Sequence, residues 1–327
     1  MSATAATTAG EIADRVAAIV IGRDEGETLR LCLDGCVDQC RSVIYVDSGS
    51  SDDSIDQAKL RGAHVVNLGP MVPFLPGLAR NEGFRQLEEL NRDAEFLQFV
   101  DGDCVLAPDW IENAVAALDA DPSIHIVCGG LSEVDPQSSP WKRMCQIEWA
   151  ELAGRVSWCG GIFIVRREAF RAVGGFREDV VAGEEPELCT RIRDAGGEVE
   201  RIDAPMASHD SHMLHFSQWW GRELRGGYMD YSVATPSGSQ PFAPERFRMY
   251  VWTLGWLLLC LGLTLAGGWL AGLLGLCVLP AQMLRQVLWS LRRGHDFISS
   301  LVYGGLVVLL NWPKLLGQMR FLWDRRN

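Results

Sequence analysis

Apolar runs and polar breaks alternate at short intervals through the first two thirds of the chain. Residues 16–21 are continuously apolar, residues 43–46 are apolar after Ser42, and residues 97–100 are interrupted only by Gln98. Short apolar runs bounded by turn residues predict strands buried on both faces. Residues 63–67 and 124–128 predict two further strands. Helical patterns lie between them: through Leu29, Leu31 and Cys32, then from Ile55 to Leu60, then over 77–91 with Leu78, Phe84, Leu87 and Leu90, then over 108–118. A loop covers residues 70–76, and residues 1–14 are expected to be a disordered lead. This alternation predicts an α/β domain over residues 15–235, built on a parallel sheet with helices on both faces.

The polar breaks carry the candidate chemistry. The strand over 97–100 runs into Asp101-Gly102-Asp103. In open parallel sheets the ligand crevice lies beyond the carboxyl ends of the strands. A turn at Gly102 can bring both carboxylates to one place, where Mg²⁺ or Mn²⁺ would neutralise them and keep positions open for phosphate oxygens. An acidic turn after a strand is the plainer reading of the same residues. Two other predicted strands end at the same rim, one at Arg23 and Asp24, the other at Asp47. Phosphates want a cation and an arginine; a base or ribose wants a carboxylate that accepts its N–H or O–H. There is no GxGxxG after the first strand and no GxxxxGK[ST] loop. Dinucleotide oxidoreductases and P-loop enzymes are therefore poorly supported.

Further on, Gly183-Glu184-Glu185-Pro186-Glu187-Leu188 opens a helix carrying Cys189 and Ile192. Proline and acids at a helix start are ordinary. Three glutamates around one proline also offer a carboxylate that could serve as a general base. A strand is predicted over 199–202, with His209-Asp210 following a short loop. Cys32, Cys36 and Cys40 recur every four residues and suit a buried helix face; no CxxC pair supports zinc.

The last third differs. Residues 249–284 hold no charged residue. As one helix they would extend about 54 Å, against a hydrocarbon core of about 30 Å. Gly267-Gly268 lies at the midpoint, so a hairpin that crosses and returns is predicted, with Arg246 and Arg248 before it and Arg285, Arg292 and Arg293 after it. Both ends are basic, which places both on the cytoplasmic side. A third apolar stretch over about 297–323 reads as an interfacial or re-entrant helix. Residues 236–327 thus form a membrane-associated region. The chain carries a formal charge of −12. Residues 283–327 have seven basic residues against two acids, a net of +5, so the remainder carries −17. An acidic body argues against nucleic acid as a partner, and a basic apolar tail argues for an anionic membrane surface. The first residues are small and polar, unlike a signal peptide, so the body is expected in a reducing cytosol at the inner (plasma) membrane.

In order and spacing, these motifs resemble family 2 glycosyltransferases of the GT-A fold. The resemblance runs over about residues 16–232. It is carried by Ile21-Gly22-Arg23-Asp24-Glu25, Val46-Asp47-Ser48-Gly49-Ser50-Ser51-Asp52, Ala79-Arg80-Asn81, Asp101-Gly102-Asp103, Val173-Gly174-Gly175-Phe176 and Gly183-Glu184-Glu185-Pro186-Glu187-Leu188. It implies a Rossmann-like, mostly parallel mixed sheet and an inverting, metal-dependent transfer of a sugar from a UDP- or GDP-sugar. It further implies that Asp47 contacts the nucleotide base, and that Arg80 lies near the donor's phosphates or sugar. Arg23, Glu25 and Asp101 would join the nucleotide site. Asp101 and Asp103 match the metal pair, with Asp103 the direct ligand and His209 a third ligand; a hydrogen-bonded loop histidine is the other reading of His209. Gly160 and Gly161 fall where donor and acceptor sugars meet. Glu185 matches the catalytic base, although glutamate stands where the family usually has aspartate, which leaves Glu184 or Glu187 as alternatives. Trp219 and Trp220 either stack on sugar rings or pack into a core. A membrane tail implies a membrane-bound acceptor, a lipid-linked glycan or a polyprenyl phosphate, in polysaccharide or glycolipid synthesis. A membrane scaffold that kept an inactive sugar-nucleotide fold is the alternative function.

Overall fold

The apolar runs form the strands expected of them. A computed structural model describes residues 9–69, 75–90, 93–180, 182–233 and 242–326. In chain order the elements begin α1 (Ala9–Ala13), β1 (Val16–Gly22), α2 (Gly26–Gln39), β2 (Ser42–Asp47), α3 (Ser54–Leu60), β3 (His64–Asn67), α4 (Pro76–Glu89), β4 (Phe96–Asp101) and β5 (Cys104–Leu106). Then come α5 (Trp110–Ala120), β6 (Ile124–Glu133), α6 (Pro140–Trp149), β7 (Gly154–Arg155), β8 (Phe163–Arg166), α7 (Arg167–Ala172), α8 (Glu184–Asp194) and β9 (Glu198–His209). The chain ends in helices: α9 (Phe216–Ser232), α10 (Ala243–Tyr250), α11 (Trp256–Leu276), α12 (Val278–Arg292), α13 (Phe297–Leu309) and α14 (Asn311–Asp324).

The chain divides into two units, residues 1–132 with 151–210 and residues 133–150 with 211–327. The expected boundary near residue 235 is thereby corrected. Helix α6 and helix α9 belong to the second unit, where Met144, Cys145 and Trp219 share one buried cluster. The expected disordered lead is also corrected in part: residues 9–13 are helical, and Ile12 is buried in the core. Residues 1–8, and residues 70–74 of the expected loop, lie outside the described residues.

In the first unit the sheet order is β3-β2-β1-β4-β8-β6-β9-β5, with β7 paired to β9. Pairings β3-β2, β2-β1 and β1-β4 are parallel, while β4-β8, β8-β6, β5-β9 and β7-β9 are antiparallel. The sheet is therefore mixed, and its parallel part is the amino-terminal half. Every residue of β1 and β2 is buried, as a strand covered on both faces requires. Gln98, the polar break in β4, is also fully buried. Its Oε1 accepts from Trp110 Nε1 at 2.8 Å and its Nε2 donates to the Phe99 carbonyl at 2.8 Å, so burial leaves both ends of the amide satisfied. Phe99, Phe163, Phe170 and Phe176 form an aromatic cluster with centroids 5.2–6.3 Å apart; each ring so buried contributes about 1.5–3 kcal/mol.

Strand β9 is the largest departure from expectation. A strand over 199–202 and then a loop are expected, yet the strand continues to His209, where β5 pairs with it antiparallel, Cys104 opposite His209. The cysteine triplet resolves as a helix face: Cys32 and Cys36 are buried on α2, and Cys40 is buried at its end.

In the second unit the apolar stretch folds back on itself. Gly268 takes φ 78° and ψ −179° inside α11, a conformation open to glycine alone. Beyond it the chain returns along its own path. Trp256 Nε1 donates to the Gly275 carbonyl at 3.0 Å. A Cβ on Gly272 would lie 2.0 Å from Thr264 Oγ1, so small residues let the two legs touch. The hairpin expected around Gly267-Gly268 is present. Two helical stretches are long and apolar enough to cross a membrane, 243–292 and 297–324. The first has mean hydropathy 2.1 and only 6% of its apolar window buried, which a soluble core helix would not show. Where one apolar helix was expected near 297–323 there are two, α13 and α14. Helix α13 packs on α12, and α14 on α9.

Candidate active site

Strand register builds the rim. Ile21 of β1 lies beside Asp101 of β4, and Gly22 beside Asp47 of β2. The Gly102 N–H donates to the Ile21 carbonyl at 2.8 Å, which folds the Asp101-Gly102-Asp103 turn back onto the end of β1. Strand β9 then brings His209 to the turn from the far side. Asp103 Oδ2 and His209 Nε2 are 3.0 Å apart, each side chain about one quarter exposed. Desolvation pushes Asp103 upward, but the hydrogen bond and charge of His209, with the Cys104 thiol, outweigh it and hold the carboxyl below its usual range. Asp103, Cys104 and His209 place three donor atoms within 4.8 Å of one another. A carboxylate and an imidazole at one partly open point suit Mn²⁺ or a similar divalent ion, so the residues fit the expected metal.

Arg80 ties the turn to the glutamate helix. It lies on α4, 2% exposed. Its Nη2 donates to Asp101 Oδ1 at 2.7 Å and to the Gly161 carbonyl at 3.3 Å; its Nη1 donates to Glu184 Oε1 at 2.6 Å. The guanidinium stands over the Phe176 ring, 5.5 Å from its centre. Burial raises the Asp101 pKa even against the Arg80 charge. Gly161 is where it is because nothing larger fits: a Cβ there would lie 2.7 Å from Asp101 Oδ2 and 3.3 Å from Arg80 Nη2. Asn81, the next residue of the same motif, holds the loop after α7. Its Nδ2 donates to the Phe176 carbonyl at 2.8 Å, and its Oδ1 accepts from the Phe176 N–H at 2.9 Å.

The three glutamates of α8 have three separate fates. Glu184 is committed to Arg80. Glu187 is fully buried and paired with Arg191 at 2.6 Å, and Arg191 in turn donates to the carbonyls of Val173 and Gly175. That pairing removes Glu187 as a base and gives it a structural role. Glu185 makes no ion pair among the described residues. Its Oε1 accepts from the Cys159 N–H at 2.5 Å and from the Cys189 thiol at 3.2 Å, and the two sulfurs are 3.4 Å apart. Burial raises the Glu185 pKa, and the Cys159 N–H and thiol, the Cys189 thiol and the Gly160 N–H oppose the rise. Cys159 and Cys189 were not anticipated. Cys189 sits four residues after Glu185 on one helix, a spacing that puts two side chains on one face and was the available signal.

Other expected positions divide. Gly160 is left-handed at φ 85° and leads into Gly161. Glu25 folds over the turn: a Cβ on Gly102 would lie 3.1 Å from its Cγ. Arg23 is exposed at the rim, 3.8 Å from Asp24. Asp47 is a correction. Its carboxylate is fully buried and turned inward. It accepts from the Gly49 and Ser50 N–H groups at 2.9 Å, from the Ser50 hydroxyl at 2.5 Å and from the Tyr45 hydroxyl at 3.1 Å. It shapes the loop after β2 and has no face left for a base. Asp24, at φ 56°, braces the same loop by accepting from the Ser51 N–H at 2.6 Å. Trp219 is the other correction. It is fully buried in the second unit, stacked on Trp141 with centroids 5.3 Å apart, so a sugar cannot reach its ring. Trp220 packs at the edge of the same cluster.

The mixed sheet of this order, with an acidic turn at the end of its fourth strand, has the architecture of the GT-A fold. The chain carries a glycosyltransferase family 2 domain. Residues 18–174 match the family described as glycosyl transferase family 2, and residues 145–216 match a model described as the N-terminal domain of galactosyltransferase. Among curated proteins, the pre-mycofactocin glycosyltransferase of Mycobacterium tuberculosis is 26% identical over 232 residues, 65% of this chain. The match takes in 47% of that protein, so the chain spans about half the length of the curated relatives it matches. Among solved structures, mannosyltransferase PcManGT from Pyrobaculum calidifontis, in complex with GDP-Man and Mn²⁺, superposes with a TM-score of 0.56 at 17% identity. The match covers 95% of this chain and 87% of that one. TarS 1–349 of S. aureus in complex with UDP-GlcNAc superposes with a TM-score of 0.52 at 15% identity, covering 93% and 92%. At these identities the likeness is one of fold.

Proposed function

We propose that this protein transfers a sugar, with inversion and with the help of a divalent cation, from a UDP- or GDP-sugar to a membrane-bound acceptor. The observation that carries the reading is the chain of side chains Glu184–Arg80–Asp101 running beside Asp103–His209 in one unit. Arg80 holds two carboxylates apart and fixes their directions, so the rim is rigid before a donor arrives. Arg23 at the open edge suits the donor's phosphates. An ion held by Asp103 and His209, with Asp101 alongside, would offset charge growing on the leaving diphosphate. The Mn²⁺ of the Pyrobaculum complex is in keeping with this.

Glu185 is the base. Its raised proton affinity and its lack of an ion pair among the described residues suit proton abstraction near neutral pH, whereas Glu184 is spent on Arg80. The acceptor hydroxyl gives its proton to Glu185 as its oxygen bonds to the anomeric carbon. The bond from that carbon to the diphosphate breaks on the opposite face, and the nucleoside diphosphate leaves with the electron pair. A hydroxyl acceptor needs this base and a phosphate acceptor does not, so a lipid-linked glycan is favoured over a polyprenyl phosphate. The apolar hairpin and its basic flanks support work at the cytoplasmic face of the plasma membrane, in polysaccharide or glycolipid synthesis.

The test is nucleotide release by the full chain in detergent, with UDP- and GDP-sugars, Mn²⁺ or Mg²⁺, and a membrane-lipid extract. One donor should support release that chelator abolishes. Glu185→Gln should lower the rate by about 10²–10⁴ with donor binding kept, and Asp103→Ala should weaken metal-dependent donor binding itself. No release and no metal-dependent binding with any donor would overturn the reading in favour of an inactive scaffold.

A further inference from the structure

The feet of the hairpin enclose a second polar site, far in character from the apolar helices that carry it. A cavity of about 310 Å³ opens there, wholly within the second unit, between α10, α12, α13 and α14. Two arginines mark its mouth, Arg248 at the end of α10 and Arg285 on α12, both exposed. Neither forms an ion pair among the described residues. The Arg285 guanidinium lies 6.0 Å from the centre of the Trp252 ring, which orients it but leaves its N–H donors open.

Deeper in, acceptors lack donors. Gln282 is 6% exposed, and its Oε1 is buried without a hydrogen-bond partner among the described residues. The Oε2 of Glu245 is likewise buried and unmet. Buried polar atoms are nearly always satisfied in folded proteins, so two such atoms on one cavity wall indicate a missing partner. The other acids of the wall are already engaged: Glu148 with Arg222 at 2.8 Å, Asp230 with the Gln318 amide at 3.4 Å. Lys314 lies 3.7 Å from Glu223. What remains open is a pair of cations at the mouth and a pair of acceptors behind them.

We propose that this cavity binds the headgroup of a membrane phospholipid, its phosphodiester on Arg248 and Arg285 and its terminal hydroxyl or ammonium on Glu245 and Gln282. The phosphodiester supplies the negative charge the arginines lack, and the head alcohol or amine supplies the donors the acceptors lack. The position identifies a lipid as its source. Arg248 and Arg285 bracket the uncharged run 249–284. Trp252 and Tyr303 line the same cavity, as aromatics do at the level of lipid headgroups. The leucines of the hairpin legs, Leu258, Leu265 and Leu274 among them, stand exposed, as acyl chains require. This rests on the reading of the hairpin as membrane-inserted, not on the transfer reaction.

The experiment uses the full chain in an uncharged detergent, titrated with short-chain phosphatidylglycerol, short-chain phosphatidylethanolamine, or inorganic phosphate alone. Thermal unfolding and native mass spectrometry read binding. At least one phospholipid should bind saturably at one site and raise the melting temperature, and phosphate at the same concentration should not. The double variant Arg248→Gln/Arg285→Gln should weaken that binding at least tenfold, and Arg248→Lys/Arg285→Lys should retain most of it. Gln282→Leu, an uncharged change of similar bulk, should weaken it independently of any folding defect in the arginine variants. Equal binding of phosphate alone would overturn the lipid assignment in favour of a free-anion site. No saturable binding, or affinity unchanged in both the glutamine double variant and Gln282→Leu, would overturn the site. Nucleotide release is followed in the same samples. Failure of lipid binding with release intact strikes only this inference; lipid binding without release from any donor strikes only the transfer reading.

Discussion

Two sets of arginines, one in each unit, are handled in opposite ways. Arg80 is buried and gripped by two carboxylates, a carbonyl and an aromatic ring. Arg248 and Arg285 are exposed and pair with no carboxylate among the described residues. The difference is one of when the charge is met. Around Arg80 it is met at folding, so the geometry of Asp101 and Glu184 is fixed in advance, which is what a site that must align a donor requires. At the hairpin feet it is left open, which is what a surface that waits for an anion requires. A buried ion pair is weak evidence of stability, but breaking one is costly, and that asymmetry gives the comparison its sharpest test.

Arg80→Ala would leave Asp101 and Glu184 facing each other without a cation. It should lower unfolding stability by about 3–5 kcal/mol and abolish nucleotide release. Arg80→Lys should not restore release, since one ammonium cannot reproduce the fork that joins two acids. Arg285→Ala, by contrast, should change stability by less than about 0.5 kcal/mol. Chemical denaturation of both variants checks the pair. Equal losses would erase the distinction between them.

The second unit carries its own buried charge. Asp230 has its pKa pushed up to about 6 by desolvation, against the opposing charges of Lys314 and Arg246 and the hydrogen bond from Gln318, with Glu245 adding to the rise. The folded state therefore holds this proton more tightly than the unfolded chain does. Ionising Asp230 destabilises the fold; the penalty is absent below the ordinary aspartate range and complete once the pH exceeds about 6. Asp230→Asn should accordingly stabilise the protein at pH 8 by up to about 3 kcal/mol and change little at pH 3.5. Melting temperatures across that range give the answer, and a gain independent of pH would mean the carboxylate is not what is penalised.

Gly161→Ala probes the first unit from the side of shape. Its new methyl group would meet Asp101 Oδ2 at 2.7 Å, so Asp101 must turn and Arg80 with it. A cost of about 1–3 kcal/mol is expected from such overpacking, with weaker metal-dependent donor binding. Gly160→Ala meets nothing within 4 Å and should be strained only by its positive φ. If the two alanines lower donor binding equally, backbone conformation and not crowding at Asp101 explains the glycines.

These residues show why parts of the molecule were legible in the sequence and others were not. The parallel strands β1, β2 and β4 are apolar runs, broken only by Gln98 in β4, that lead into charge, so both their burial and their rim could be read directly. The hairpin could be read too, since 36 uncharged residues around a glycine pair leave few alternatives. Strand β8 and the far end of β9 gain their form from partners distant in the chain, and no local pattern announces a register such as Cys104 opposite His209. The site followed the same division. Asp101 ends β4, and His209, at the end of β9, lies 3.0 Å from Asp103. Asp47 was misplaced because a motif fixes a residue's position on a strand but not the direction of its side chain. Trp219 stood between two readings because an aromatic suits a sugar and a core equally well, and its burial against Trp141 decides for the core. The fates of Glu184, Glu185 and Glu187 depend on Arg80, Cys159 and Arg191, which lie on different elements or one helical turn away.

Among those partners, the Cys189 thiol makes the smallest and most specific prediction. It donates to Glu185 Oε1 at 3.2 Å, a bond that favours the carboxylate and so opposes the rise in pKa that burial causes. A base must be ionised to take a proton, so nucleotide release should fall as the pH drops through the Glu185 pKa, and that acid limb should lie above the usual glutamate range. Cys189→Ala removes the donor, keeps the burial, and leaves the Cys159 N–H in place. The acid limb should then move further toward neutral pH, with the rate on the plateau little changed. Cys189→Ser restores a hydroxyl donor and should return the limb most of the way. A structural role alone would change the plateau or the melting temperature and leave the limb where it was. An unmoved limb in Cys189→Ala, with Glu185→Gln inactive, would mean that the thiol packs against the base without tuning it.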